Sequence, residues 1–191
     1  RLSVYADKGL FSKIDSKILN NTIPEHLRDD GGYWYGLSMR SRIIGVSKER
    51  VKEGEITKYE DLADPKWKGR ICSRPGSHVY NRSLVASMIA KHGEDAAENW
   101  ARGVVSNFAR RPQGNDRAQA KAIFQGECDV AIMNHYYYGK MLNSDKAAQR
   151  NWANAINIVF GNQAKSERGA HVNISGGGVT LHSKNKSNAI K

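Results

Sequence analysis

The stretch that decides the fold is QGECDVAIMNHYYYG, residues 125–139. Its central run, from Cys128 to Met133, is short, nearly all apolar and bounded by glycines, a pattern that favours a strand covered on both faces. In open α/β sheets, ligands bind in the crevice beyond the carboxyl ends of such strands. The side chains that follow this strand are polar or phenolic: Asn134, His135, Tyr136, Tyr137 and Tyr138. The sequence therefore predicts a ligand site at this strand end.

Strands alternate with helices on both sides of this stretch. Apolar periodicity predicts helices over about 80–92, 94–107, 115–125, 136–142 and 147–155. Short β-branched or apolar runs predict strands at 33–46, 70–73 and 156–160, with a glycine-rich β segment at 169–181. The 33–46 run is long enough to form two strands or to pass between domains. This alternation predicts an α/β fold.

The amino-terminal part is less regular. Residues 1–10 are predicted to be the tail of a helix, and residues 11–27 a polar connection that contains Pro24. Thr57 is predicted to cap a short helix that runs through Leu62 and stops at Asp64-Pro65.

The composition is that of a globular chain: 191 residues, 39% hydrophobic and 26% charged. A net charge of +11 would suit an anionic partner such as nucleic acid, an acidic membrane surface or an anionic ligand. The basic residues are scattered, however, with no run of five or more, which favours a generally basic surface. Since no apolar stretch reaches the roughly 20 residues of a spanning helix, we expect no stable membrane insertion.

The chain contains two cysteines. Cys72 and Cys128 lack a CxxC partner or a nearby histidine at zinc spacing, so they form either a disulfide or two inert core thiols. Both stand at the start of a predicted strand.

The chain begins at Arg1 without methionine and stops inside a helical pattern, so we expect missing residues at both ends, with an export signal among them.

Three consecutive tyrosines cannot all face one core from a helix, because neighbouring side chains are about 100° apart. One interpretation is amphipathic packing at a strand-to-helix junction. The other is a metal site, in which only a strongly Lewis-acidic ion would hold phenols of pKa near 10 as phenolates. Ferric iron is hard and acidic enough for oxygen ligands of this kind.

Other site chemistries fit less well. The histidines form no HxxxH pair and no serine lies in a GxSxG elbow, so we predict no catalysis. The loop with Ser77 and His78 precedes a helix, where it would serve either as an anion site or as a simple cap.

Two motifs carry a resemblance to a known family. YEDLADPKWKGR, residues 59–70, resembles a segment of the periplasmic substrate-binding proteins of ABC transporters. CDVAIMNHYY, residues 128–137, resembles their ferric-iron-binding branch, and the similarity covers essentially the whole chain. In that branch the paired tyrosines ligate Fe(III), which implies this role for Tyr136 and Tyr137. A further ligand of the tyrosine-rich subgroup matches Tyr80 in Val79-Tyr80-Asn81, whereas Tyr138 has no match.

The resemblance implies a type II fold with two α/β lobes and iron in the cleft. Residues 41–172 would form one nearly complete lobe. Residues 1–40 would hold part of the first lobe and the start of a hinge crossing, and residues 173–191 the return crossing and the start of a first-lobe helix. Most of the first lobe, with its ligands, would precede Arg1.

The function implied is that of a periplasmic, monomeric Fe(III)-binding protein that hands its iron to an ABC permease. A synergistic anion such as carbonate would complete the iron shell, with Ser77, His78, Asn134 and His135 as candidate contacts. Because an exported protein meets an oxidising compartment, we predict a disulfide between Cys72 and Cys128.

The alternative functions are those of a binding protein for a small anion or organic cation, with tyrosines that contact the ligand, and of a basic nucleic-acid-binding domain with aromatic stacking platforms. No recognisable nucleic-acid motif supports the last of these.

Overall fold

A computed structural model describes residues 2–190. The helices in this range are α1 Leu2–Asp7, α2 Lys17–Thr22, α3 Val79–His92, α4 Glu94–Ser106, α5 Asp116–Phe124, α6 His135–Leu142, α7 Ala147–Asn154 and α8 Lys186–Ile190. The strands are β1 Phe11–Ser12, β2 Tyr35–Ser47, β3 Ile71–Cys72, β4 Val130–Asn134, β5 Ile156–Val159, β6 Val172–Gly177 and β7 Val179–Thr180. In this range, no helix combines the length and the apolar character that crossing a membrane requires.

The chain folds into two compact units. One consists of Arg1–Arg40 and Val172–Lys191, and the other of Ser41–His171. In the first, β1 and β7 pair antiparallel, and Ile14, Tyr35 and Val179 form a small buried core. The assignment of the two units to lobes of a clamp stays a prediction.

The second unit is built on a mixed sheet in which β4 is an inner strand. The order is β3-β4-β2-β5, with β4 parallel to β3 and antiparallel to β2. Every residue of β4 is buried. Since successive side chains of a strand point to opposite faces, Val130 and Ile132 join one apolar cluster while Ala131 and Met133 join another. The prediction of a strand covered on both faces is confirmed.

Each face of this sheet is covered by helices that the sequence pattern predicted. The cluster that contains Val130 also holds Leu84 and Met88 of α3, with Trp100 of α4. The opposite cluster holds Ile123 of α5, and α6 and α7 contribute the remaining cover. These helices agree with the predicted ones to within about one residue at each end.

Several details differ from the predictions. Residues 11–27 are not a plain polar connection, because they contain β1, α2 and a 3-10 turn, and Ser16 caps α2 by accepting the Leu19 N–H. Thr57 does not cap a helix: Tyr59–Ala63 is a 3-10 turn, and the Asp61 carboxylate accepts the Thr57 and Lys58 N–H groups. The 33–46 run forms one strand, β2.

The glycine-rich segment divides at Gly178 into β6 and β7. A Cβ at Gly178 would lie 2.6 Å from the Tyr33 carbonyl oxygen, so the close backbone approach requires glycine.

The predicted disulfide between Cys72 and Cys128 is present, with Cα atoms 5.8 Å apart. Neither cysteine begins its strand as predicted, since Cys72 ends β3 and Cys128 precedes β4 by two residues. The bridge joins two neighbouring parallel segments, but the strand register does not set it, because that register places Cys72 opposite Ala131 and not opposite Cys128.

Candidate metal centre

Two helices begin beside each other because they follow two neighbouring parallel strands. Strand β4 ends at Asn134 and α6 begins at His135 with no intervening loop, which places Tyr136 and Tyr137 in the first helical turn. Strand β3 is followed by a loop that enters α3 at Val79. The Nδ1 atom of His78 accepts the Tyr80 N–H at 3.2 Å and so caps that helix.

Three tyrosines meet at these helix starts. The hydroxyl oxygens of Tyr80 and Tyr136 lie 3.1 Å apart. The ring of Tyr137 lies against that of Tyr136, with centroids 4.4 Å apart and planes tilted by 31°. All three side chains are half-buried. Tyr138 instead packs against the apolar cluster of α5, α6 and α7.

A buried ion network connects the two helix starts. Asp116, the first residue of α5, is fully buried and accepts hydrogen bonds from Arg42 and Arg74, each at 2.9 Å. Its Oδ2 atom also accepts the backbone N–H of Asn134 at 2.8 Å. Arg42 donates further to the side-chain oxygen of Asn81 at 2.7 Å, next to Tyr80.

Positive groups surround the phenol rings. The guanidinium carbons of Arg42 and Arg74 lie 5.5 and 4.9 Å from the centroid of the Tyr80 ring. Arg117 lies 5.1 Å from the Tyr137 ring centroid, and the Lys140 ammonium lies 5.8 Å from that of Tyr136. Burial lowers the pKa of Arg42, although the Asp116 carboxylate acts in the opposite direction.

The four residues predicted to contact an anion lie in different environments. Asn134 is buried, its oxygen accepts from Arg42 at 3.2 Å, and its amide nitrogen has no hydrogen-bond partner among the described residues. The Nδ1 atom of His135 accepts the Ser41 N–H at 2.9 Å, which leaves the proton of a neutral ring on Nε2 as a donor. His78 packs its ring 4.5 Å from that of Tyr80, and Ser77 is exposed before α3.

Sequence reasoning missed the charged network. The sequence pattern places Asp116 only at the start of a predicted helix and Arg42 only within a predicted strand. One signal for Arg42 was available, because an arginine beside the apolar run Ile43-Ile44-Gly45-Val46 must be buried and paired if that run is a core strand. Nothing in the local pattern marks Asp116. Within residues 2–190, no three His, Cys, Asp or Glu side chains are grouped so as to hold a metal ion.

Comparison with known proteins shows consistent similarity. Residues 2–160 match the family model described as bacterial extracellular solute-binding protein. Iron uptake protein A1 of Synechocystis sp. PCC 6803 is 46% identical over 185 residues, which cover 97% of this chain and 51% of that protein. The Fe(3+)-binding periplasmic protein of Serratia marcescens is 29% identical over 94% of this chain and 51% of its own length.

Solved structures agree with these sequence matches. A Trichodesmium protein (IdiA, FutA) in complex with iron and citrate ligands is 45% identical, with a TM-score of 0.90 over 97% of this chain and 58% of that one. The ferric binding protein of Campylobacter jejuni is 40% identical, with a TM-score of 0.91 over 98% and 59%.

These matches confirm the fold class predicted from the sequence, the α/β fold of type II periplasmic binding proteins. The chain spans about half the length of the curated relatives it matches. It belongs to the bacterial extracellular solute-binding protein family.

Proposed function

We propose that this chain is part of a periplasmic Fe(III)-binding protein, in which Tyr80, Tyr136 and Tyr137 supply phenolate ligands to ferric iron. The observation that carries the proposal is the 3.1 Å separation of the Tyr80 and Tyr136 hydroxyl oxygens. In octahedral coordination with metal–oxygen bonds of about 2.0–2.1 Å, neighbouring ligand oxygens lie about 3 Å apart. The two hydroxyls are therefore already at the separation that one shared ion requires.

The charges around the phenols favour a trivalent, strongly acidic ion as cargo. The site is surrounded by Arg42, Arg74, Arg117 and Lys140, which oppose a bare cation. A metal ion overcomes this repulsion only if it converts the phenols to phenolates, which gain from both the ion and the arginines. The same charges disfavour an organic cation as the ligand.

The names of the relatives support iron as the cargo, since they are iron uptake and ferric iron-binding proteins. The Trichodesmium structure is of a complex with iron and citrate ligands, which supports an anion in the iron shell of this chain. We infer that His135 Nε2 and the Asn134 amide are the donors best suited to such an anion, with Ser77 and His78 at the start of α3 as further candidates. Delivery to an ABC permease, a monomeric state and the lack of catalysis belong to the same proposal.

Addition of ferric citrate to the chain tests the proposal directly. Phenolate bound to Fe(III) gives a charge-transfer band in the visible region, which free ferric citrate lacks. We expect the band to saturate at one iron per chain and to survive removal of free iron on a desalting column. A chain that leaves the column without iron and without the band would contradict the proposal.

A further inference from the structure

One buried carboxylate, that of Asp116, links the two segments that carry Tyr80 and Tyr136. Asp116 lies on α5, whereas Tyr80 lies on α3 and Tyr136 on α6. Its side chain is 0% exposed, and its two oxygens accept three hydrogen bonds of 2.8–2.9 Å. A buried carboxylate with a full set of charged and backbone donors holds those donors in fixed positions.

One of these contacts fixes the start of α6. The Asp116 Oδ2 atom accepts the backbone N–H of Asn134, the residue at the junction of β4 and α6. Arg42, also held by Asp116, donates to the Asn134 side-chain oxygen. Tyr136 is two residues further on, so the direction in which its helix leaves the sheet depends on this junction.

The other contacts fix the start of α3. Arg42 bridges from Asp116 to the Asn81 side-chain oxygen, and the Asn81 amide in turn donates to the Arg74 carbonyl oxygen at 3.0 Å. Arg74 bonds to Asp116 through its guanidinium and lies over the Tyr80 ring. Asp116 thus aligns both arginines against Tyr80.

We propose that Asp116 is a positioning residue for iron binding, which sets the separation of the Tyr80 and Tyr136 oxygens through Arg42, Arg74 and the Asn134 N–H. This inference rests on the proposed function and adds to it a residue that touches neither iron nor a phenol oxygen. Residues that orient metal ligands in this indirect way typically change metal affinity by about 10–100-fold when they are replaced.

The chain offers a matched control for this role. Asp129 also bridges two arginines, Arg50 and Arg70, at 2.5 and 2.6 Å. It lies just before β4, whereas Asp116 bonds to the residue that ends β4. Asp129→Asn therefore removes the same kind of ion network at the opposite end of the same strand.

The test compares ferric citrate titrations of the wild-type chain, Asp116→Asn and Asp129→Asn, with affinity expressed per folded molecule from circular dichroism. We expect both variants to be less stable, but only Asp116→Asn to lose about tenfold or more in iron affinity and to shift the charge-transfer band. Equal affinity and an unchanged band in all three proteins would overturn the positioning role and leave the proposed function intact. A wild-type chain that binds no iron would instead overturn the proposed function.

Arg42→Lys covers the case in which Asp116→Asn does not fold. Lysine keeps the positive charge but cannot bridge Asp116 and Asn81 in the forked geometry of a guanidinium. We expect a loss of iron affinity and a shifted band, and wild-type values for both in the folded variant would overturn the proposal.

Discussion

The hydroxyl oxygens of Tyr80 and Tyr136 lie 3.1 Å apart, although 56 residues separate them along the chain. The same number of residues separates Cys72 from Cys128. Each tyrosine therefore follows its cysteine by eight residues, along parallel strands whose register pairs Ile71 with Val130. The disulfide and the phenol pair are two ties between the same two segments.

The first prediction concerns the phenol oxygens. Tyr→Phe at 80, 136 or 137 keeps the ring but removes the oxygen, so each change should reduce iron binding and the charge-transfer band strongly. Unfolding free energies should change by only about 1 kcal/mol, the usual net value of one hydrogen bond. Tyr138→Phe is the control and should leave iron binding nearly unchanged, because Tyr138 packs against the apolar core. Equal effects at all four positions would refute the ligand assignment.

The second prediction concerns the disulfide. Thiol titration of the unfolded, unreduced chain should find no free thiol, since Cys72 and Cys128 are bonded. The bridge closes a loop of about 57 residues, which corresponds to about 3–4 kcal/mol in the chain-entropy model. Replacement of both cysteines by serine should lower the unfolding free energy by about that amount, as measured by urea denaturation. An unchanged denaturation midpoint would contradict this prediction.

The third prediction concerns Tyr59, whose ring is fully buried. Its hydroxyl donates to the Arg42 carbonyl oxygen and accepts the His171 N–H, so Tyr59→Phe leaves both backbone groups without this partner. We expect the unfolding free energy to fall by about 1–3 kcal/mol. Tyr5→Phe, at a side chain that is 45% exposed, is the control and should have little effect. If both variants unfold at the same urea concentration, the two hydrogen bonds do not stabilise the fold.

The fourth prediction concerns acid stability. Burial by itself raises the pKa of Asp129, but hydrogen bonds from Arg50 and Arg70 outweigh it and hold the pKa below its ordinary value. The stability that this carboxylate contributes is therefore fully present above its unfolded-state pKa of about 3.9, and is lost as pH falls through its lower folded-state pKa.

Asp129→Asn should lower the unfolding free energy at pH 7 by about 1–2 kcal/mol and flatten its decline in acid. Denaturation curves at several pH values measure both effects. Glu98→Gln serves as control, since the Glu98 pair with Arg102 is exposed. A parallel decline in wild type and Asp129→Asn would contradict the assignment.

The fifth prediction concerns the charge of +11. A general basic surface should bind DNA and RNA weakly at low salt, and the binding should disappear by physiological salt as counterion release loses its driving force. Fluorescence anisotropy with labelled oligonucleotides across a salt series measures this. A sequence-selective complex that survives physiological salt would instead favour the nucleic-acid-binding alternative.

The sequence by itself determined the elements and their class. The run from Val130 to Met133 is apolar without alternation, which favours a strand covered on both faces, and the 3.6-residue periodicity of the flanking segments predicts α3, α4 and α5. It also indicated the family through its motifs, and the paired tyrosines predict the type of ligand. These features are local, or depend on motifs that are contiguous in the chain.

Only the tertiary structure decided which distant groups meet. The contact of Tyr80 with Tyr136, and the bonds from Asp116 to Arg42, Arg74 and the Asn134 N–H, join segments that are up to 74 residues apart. Sequence periodicity specifies which face of an element is buried, but not which charged side chains share that interior. The partners of a buried arginine follow from strand order and register, and these emerge only when the sheet has formed.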